Sequence, residues 1–433
     1  KEMGGDVVRP DIAGLMGAYG AALHGKEHSK PGTTSSILTL EELNNFTQKV
    51  QNVQCGLCGN HCQMTVSVFQ DGKRFITGNR CDRPITGKSN DDTLNLYAYK
   101  QQQLSQLMKN PGTGTRGKIG IPMVLNMYEL LPFWHAFFTN LGFQVIVSPF
   151  SNRKLYQAGQ GSIPSDTVCF PAKLTHGHIM ALLKKDVDAI FYPCMSYNVD
   201  EGLGDNHYNC PVVAYYPEVL AGNIRELEDT KFIYEYLNLE QRKDFVRLMP
   251  KIMQKYYPDL KTSDIHNAIE VAYTAYRKHM EDTRKEAERM MTEARNEGKR
   301  IIVLAGRPYH VDPEVNHGID KLIVKHGACV ITEDSISNLV QKFETSVLNQ
   351  WSYHSRLYAA AKYCVNHADM DLIQLVSFGC GLDAVTSDET KEILQEGNKL
   401  YTQLKIDEIT NLGAVNIRIR SLFAALDERK EQA

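Results

Sequence analysis

Four cysteines crowd one short stretch: Cys55, Cys58 and Cys62, then Cys81 at the end of Gly78-Asn79-Arg80-Cys81. Four thiolates gathered around a short hairpin make a tetrahedral metal site, and zinc and iron both accept four sulfurs. The spacing points to metal and leaves open whether it is zinc or an iron–sulfur cluster. A second set is dispersed. Cys169 stands in Val168-Cys169-Phe170-Pro171, Cys194 follows Phe191-Tyr192-Pro193, Cys210 precedes Pro211, and Cys380 lies between Gly379 and Gly381. A lone cysteine usually packs as a small buried hydrophobe. Four of them beside Pro, Gly or Asn fit that habit poorly. In open parallel sheets, sites form outside the carboxyl ends of strands, where Cys194 and Cys380 can converge. Cys329 and Cys364 sit in an apolar strand and a helix and read as core.

Other polar groups are less specific. His176-Gly177-His178 lies near a helix start, where His serves more often as a supporting group than as a ligand. Arg307-Pro308-Tyr309-His310-Val311-Asp312 follows a strand; a site and ordinary loop hydrogen bonding explain it equally well. Asp383, Ser387 and Asp388 follow Cys380, and one of them suffices to cap the next helix. Gly112-Thr113-Gly114-Thr115-Arg116-Gly117-Lys118 imitates a phosphate loop. Its next residue is Ile119 rather than Ser or Thr, and a strand rather than a helix follows, so it reads as a linker.

The elements that must position these residues alternate. Met64–Phe69 and Arg74–Thr77 read as strands around Asp71-Gly72. From Lys118 onward, strands at Ile119–Leu125, Phe143–Ser148, Ala189–Tyr192 and Val212–Tyr215 interleave with helices at Tyr128–Leu141 and Leu174–Lys184. That alternation indicates βαβ units and a parallel sheet. Residues 264–298 carry apolar side chains at helical spacing and read as one long helix joining two lobes. A second βα series follows, with strands at Arg300–Ala305, Cys329–Thr332, Leu372–Ser377 and Gln403–Ile406. The expected fold class is therefore α/β: two Rossmann-like parallel-sheet lobes joined by a long helix, plus a small four-Cys unit. The expected divisions are 1–38, a short helical unit with a linker; 39–110, the four-Cys unit and a helix; 111–262, the first lobe; 263–298, the connecting helix; and 299–433, the second lobe.

Composition bounds the function. The chain has 433 residues, with 48 Lys and Arg against 51 Asp and Glu, a net charge of −3. No basic excess exists to attract nucleic acid or anionic lipid, and no apolar run approaches the ~20 residues of a membrane span. Ten cysteines without a secretory signal suit a reducing cytoplasm, where clustered Cys bind metal. The chain opens Lys1-Glu2 without an initiator Met and reads as a piece of a longer protein.

Several blocks together resemble one family: Gly78–Cys81, Pro122–Glu129, Val168–Lys173, Asp205–Pro211, Gly306–His310 and Ser377–Thr386. They look like the C-terminal, DUF2229-type half of large acyl-CoA dehydratase activase-related proteins. That half is similar to 2-hydroxyacyl-CoA dehydratase subunits and to the double-cubane cluster proteins of anaerobes. The resemblance covers residues 50 to about 420, and residues 5–23 resemble the last helix of the ATP-binding activase domain that precedes this half, which implies that 1–38 is a remnant of that domain with a linker. It implies an oxygen-sensitive iron–sulfur protein whose cubane is held by three cysteines from two Rossmann-like lobes. An ATP-hydrolysing activase, on another domain or chain, would feed it low-potential electrons. By position the resemblance marks Cys169, Cys194 and Cys380 as ligands, with Cys210 a fourth candidate. The cofactor would be a 4Fe-4S cluster or an eight-iron double cubane. Zinc or a second iron–sulfur cluster would sit at Cys55, Cys58, Cys62 and Cys81. The chain would be the component of an ATP-dependent reductase or dehydratase-like system, in a homodimer. The alternative is a non-catalytic electron-transfer or scaffold module with structural zinc.

Overall fold

The computed structural model describes residues 11, 13–30, 32, 37–56, 63–70, 72–79, 83–86, 93–377, 379–408 and 412–432. The chain divides into two compact units, the smaller formed by Lys1–Val53 and Thr65–Thr77. A three-stranded sheet runs in the order β1 (Gln48–Gln54), β2 (Gln63–Phe69), β3 (Arg74–Thr77). β2 and β3 pair antiparallel from Thr65 opposite Thr77 to Val68 opposite Arg74, and Gly72 supplies the turn at φ 80°. The hairpin thus matches the alternation in the sequence, whereas β1 adds an exposed strand that its polar composition hides.

The larger unit carries two four-stranded parallel sheets. The first has the order β5-β4-β6-β7, from β4 (Lys118–Ile121), β5 (Gln144–Val147), β6 (Ala189–Phe191) and β7 (Phe232–Ile233). The second has the order β11-β10-β8-β9, from β8 (Ile301–Ala305), β9 (Cys329–Ile331), β10 (Met370–Ser377) and β11 (Thr402–Ile406). Numbered within its own lobe, each sheet reads 2-1-3-4. The winding direction therefore reverses between strands one and three in both lobes. Loops leaving the carboxyl ends of β4, β6, β8 and β10 flank the two crevices where doubly wound sheets bind ligands.

One expected strand is a helix. Val212–Tyr215 lies inside a helix spanning Pro211–Asn223. Four apolar residues cannot distinguish a buried strand from one helical turn. Here Cys210 caps the helix and Pro211 takes the first position, where its missing N–H and fixed φ cost nothing. The strand comes later, as the two-residue β7, too short to show a period. The strand expected at Ile119–Leu125 stops at Ile121, because Pro122 follows and Leu125 turns to φ 44°.

The connecting helix spans Thr262–Asn296. Its first turns give Ile265, Ala268, Ile269, Ala272, Tyr273, Tyr276 and Met280 to a core that runs through the first lobe onto one face of the second sheet. Its last turns give Ala287, Met290, Met291 and Ala294 to the core on the other face of the second sheet. Cys329 and Cys364 are fully buried in that second core.

Between the lobes lies a buried charge network. Arg356, on the helix Ser352–Val365, forks onto Glu129 of the helix Met127–Asn140, with Nη2 3.2 Å from Oε1. Its Nε reaches Glu201 Oε2 at 2.6 Å, and Tyr276 of the connecting helix donates to Glu129 Oε1 at 3.1 Å. Arg356 is 1% exposed and Glu129 4%. Removing one partner of such a pair strands a buried charge. Arg356→Met is therefore expected to lower stability by about 3–5 kcal/mol in a urea titration, and Glu129→Leu added to Arg356→Met should restore most of that loss. A single variant as stable as wild type would show that the pair does not lock the lobes.

Candidate functional site

Three of the dispersed cysteines share one structural position. Cys169 is the N-cap of the helix Phe170–Leu183, Cys210 of the helix Pro211–Asn223, and Cys380 of the helix Gly381–Glu396. Each cap residue is extended, at φ −60°, −60° and −96°, and Pro follows within two positions in the first two. A helix start presents unpaired N–H groups and the positive end of the macrodipole, which favours a thiolate over a thiol. The amide of Val213 already donates to Cys210 Sγ at 3.4 Å.

The cysteine-bearing loops of the two lobes touch. A Cβ built on Gly379 would lie 3.1 Å from Thr167 O and 3.4 Å from Cys169 Cα, so the second lobe's cysteine loop packs on the first lobe's at a point where glycine fits best. Burial pushes the Cys169 thiol up to about 12, an N–H from Ala172 works against that, and Cys210 and Cys380 reinforce it. Burial also raises Cys210, with Arg307 pulling it back and Cys380 adding to the rise. Cys169 and Cys210 thus resist deprotonation, chiefly through burial. A cationic centre removes that obstacle, since a metal deprotonates a coordinating thiol outright.

Cys194 is held differently. Its N–H donates to Glu235 O at 3.0 Å and its carbonyl accepts from Leu237 at 2.9 Å, so it extends the edge of the first sheet in a bridge to Tyr236. It is fully buried, its thiol is pushed up to about 12 by burial, and its charged neighbour is Glu218. The packing thus brings Cys210 to Cys169 and Cys380 and leaves Cys194 in the sheet.

Around the thiols stand buried polar groups. Arg307, 3% exposed, sits two residues beyond β8 and forks onto Asp383, with Nη2 2.7 Å from Oδ2. Burial opposes the Arg307 charge, and Asp383 outweighs it, so the guanidinium stays protonated. Asp383 also accepts from the Ser377 amide at 2.8 Å. The Arg307 amide donates to His310 Nδ1 at 3.0 Å, which leaves the imidazole proton on Nε2. Tyr309 lies beneath the guanidinium, 5.7 Å from ring centre to its carbon, and is acted on by Cys169, Cys210 and Cys380. Arg307 Nε, His310 Nε2 and Tyr192 Oη are buried without a partner among the described residues.

The two histidines have ordinary duties. His176 bonds Ser162 Oγ at 2.8 Å and Tyr216 Oη at 3.1 Å, and burial lowers its pKa to about 4. His178 bonds Ser148 and Ser151 hydroxyls at 2.7 and 2.8 Å, and burial lowers it to about 3. Both brace the Cys169 helix rather than face the thiols. Tyr192 carries no sequence signal at all, because it ends an apolar strand. Arg307 and Asp383 were visible only as polar residues after strands.

Among the described residues no three Cys, His, Asp or Glu side chains stand close enough to hold one ion. A single zinc with sulfur at about 2.3 Å needs its thiolates about 3.8 Å apart. A cubane takes each thiolate on a different iron corner and so accepts a wider triangle. Three half-buried cysteines at three helix N-termini are a donor set of the kind such a cluster would take. Of the N-terminal set, Cys58, Cys62 and Cys81 lie outside the described residues; Cys55 is buried, 5% exposed, just past β1.

Fold and site together define a two-lobed α/β protein with a cysteine centre where its lobes meet. The chain belongs to the family described as CoA enzyme activase uncharacterised domain (DUF2229), which matches residues 118–336. That span holds the first sheet, the connecting helix, Cys169, Cys194, Cys210 and Arg307. Comparison with curated proteins finds no match. No helix among the described residues is long and apolar enough to cross a membrane.

The convergence itself is testable without any metal. In reduced, cluster-free protein a short bifunctional thiol reagent is expected to bridge Cys380 to Cys169 or Cys210, read by peptide mass spectrometry. Gly379→Val should cut that yield with the circular dichroism unchanged, because its side chain enters the 3.1 Å gap to Thr167. Bridging to Cys194 instead would contradict the arrangement.

Proposed function

We propose that the chain is an iron–sulfur protein whose Cys169, Cys210 and Cys380 hold a cubane between the two lobes, and that an ATP-hydrolysing activase supplies it with low-potential electrons for reductive chemistry. The observation that carries this reading is the meeting of three N-cap cysteines from two lobes around Arg307 and Tyr309. When bound, such a cluster would supply one-electron reduction, with one iron free of protein sulfur for a substrate. The residues of the chain do the rest. The helix amides behind Cys169 and Cys210 favour the thiolate forms. Tyr192 Oη, buried without a partner among the described residues and near Cys169 and Cys210, offers a donor to whatever occupies the centre. Phe170, Tyr309, Val213 and Tyr216 keep bulk water out, each being under a tenth exposed.

In this reading Cys210 replaces Cys194 as the third ligand, because it caps a helix beside Cys169 while Cys194 stays in the sheet. The family description supports an activase partner by its name alone. The charge pattern offers no basic cluster for CoA phosphates, which favours a small molecule or electron relay over a CoA thioester. A structural metal at Cys55, Cys58, Cys62 and Cys81 belongs to the same proposal.

The test is iron and sulfide content with low-temperature EPR of anaerobically reconstituted, dithionite-reduced protein. Cys169→Ser, Cys210→Ser and Cys380→Ser are each expected to lose most of the iron and the signal at this centre, while Cys194→Ser keeps both. Loss in Cys194→Ser with retention in Cys210→Ser would overturn the assignment. Wild-type protein holding zinc and no iron would overturn the function.

A further inference from the structure

The thiol centre leaves one cation without a role. Arg307 is 3% exposed, and its two terminal nitrogens are taken by Asp383. Asp383 in turn belongs to the turn that carries Cys380. Its carboxylate accepts the Ser377 amide at 2.8 Å, its own amide donates to Cys380 O at 3.2 Å, and the Cys380 amide donates to Ser377 O at 3.1 Å. The ends of β8 and β10 are thereby clamped through one carboxylate. Structural needs alone would be met by the Ser377 bond, yet a full guanidinium is buried here, with His354 Nε2 3.5 Å from Nη1. A buried ion pair is rarely the cheapest way to fill space.

We propose that Arg307 sets the electron affinity of the three-thiol centre, and that Asp383 is the positioning residue that holds the guanidinium beside it and partly cancels its charge. This rests on the reading of the centre as an iron–sulfur cluster. Arg307 and Asp383 are 3% and 4% exposed, so their fixed charges act strongly at short range, and cluster potentials follow net charge and hydrogen bonding around the sulfurs. Through Asp383 the guanidinium is held against the Cys380 turn, and its charge also bears on Cys169 and Cys210. Its Nε–H has no partner among the described residues. The step is a simple one: one electron from the activase adds one negative charge to the cluster, no bond forms or breaks, and Arg307 stays protonated throughout.

Opposite signs separate this from mere loosening of the fold. In anaerobic redox titrations followed by low-temperature EPR, Arg307→Gln is expected to make the cluster harder to reduce and Asp383→Asn easier. Each should change the reduction equilibrium at least tenfold, which is about 59 mV for one electron. Arg307→Lys keeps the charge and should stay closer to wild type than Arg307→Gln. Shifts of the same sign in Arg307→Gln and Asp383→Asn, or no shift in either, overturn the inference while the cluster reading survives. Should Arg307→Gln fail to fold by circular dichroism, the sign for Asp383→Asn decides alone. Wild-type protein without iron overturns the cluster reading, and this inference with it.

Discussion

A guanidinium sealed between two lobes organises this protein. Arg356 comes from the second lobe, Glu129 from the first, and Tyr276 from the helix that joins them. Pulling the lobes apart would leave opposite charges in an apolar interior, which is far costlier than losing a surface ion pair. Smaller bonds follow the same seam. Tyr128 and the Ser151 amide both donate to Asp312, and the backbones of Tyr208 and Trp351 pair as a β-bridge. Because these contacts fix the lobes in one relation, cysteines more than 160 residues apart in the chain arrive at one place.

The repeated 2-1-3-4 winding explains why that place is chemically useful. Each lobe sends its helix N-termini out from the carboxyl edge of its sheet, and the two edges face each other. Three of those termini begin with cysteine. Helix dipoles, first-turn amides and Arg307 favour negative charge there, while burial pushes the Cys169 and Cys210 thiols up. Under the proposed reading, a bound cationic centre would be what deprotonates them.

Much of the fold could be read from the chain. Strong periodicity reveals the long helix because its two apolar stripes serve two cores, β8 announces itself as a continuous apolar run, and β10 as one interrupted by Gln374. What failed were segments shorter than their own period: Val212–Tyr215, a helical turn resembling a strand, and Phe232–Ile233, a strand of two residues. The site was half legible. Cys169 and Cys380 stood out by their Pro and Gly neighbours, and so did Cys194 and Cys210, because local sequence cannot say which thiol faces the other lobe. That choice is made by tertiary packing: the Cys210 helix turns its start toward Cys169, and the Tyr236 bridge keeps Cys194 in the sheet. Arg307 and Asp383 were ambiguous for the same reason, since their pairing joins residues 76 positions apart.

The most direct measurement is an anomalous-scattering map at the iron edge from anaerobically grown crystals of the reconstituted protein. The account predicts one compact iron peak bounded by the sulfurs of Cys169, Cys210 and Cys380, with Arg307 beside it and Cys194 outside. Iron density centred on Cys194, or three free thiols with iron elsewhere, would contradict it.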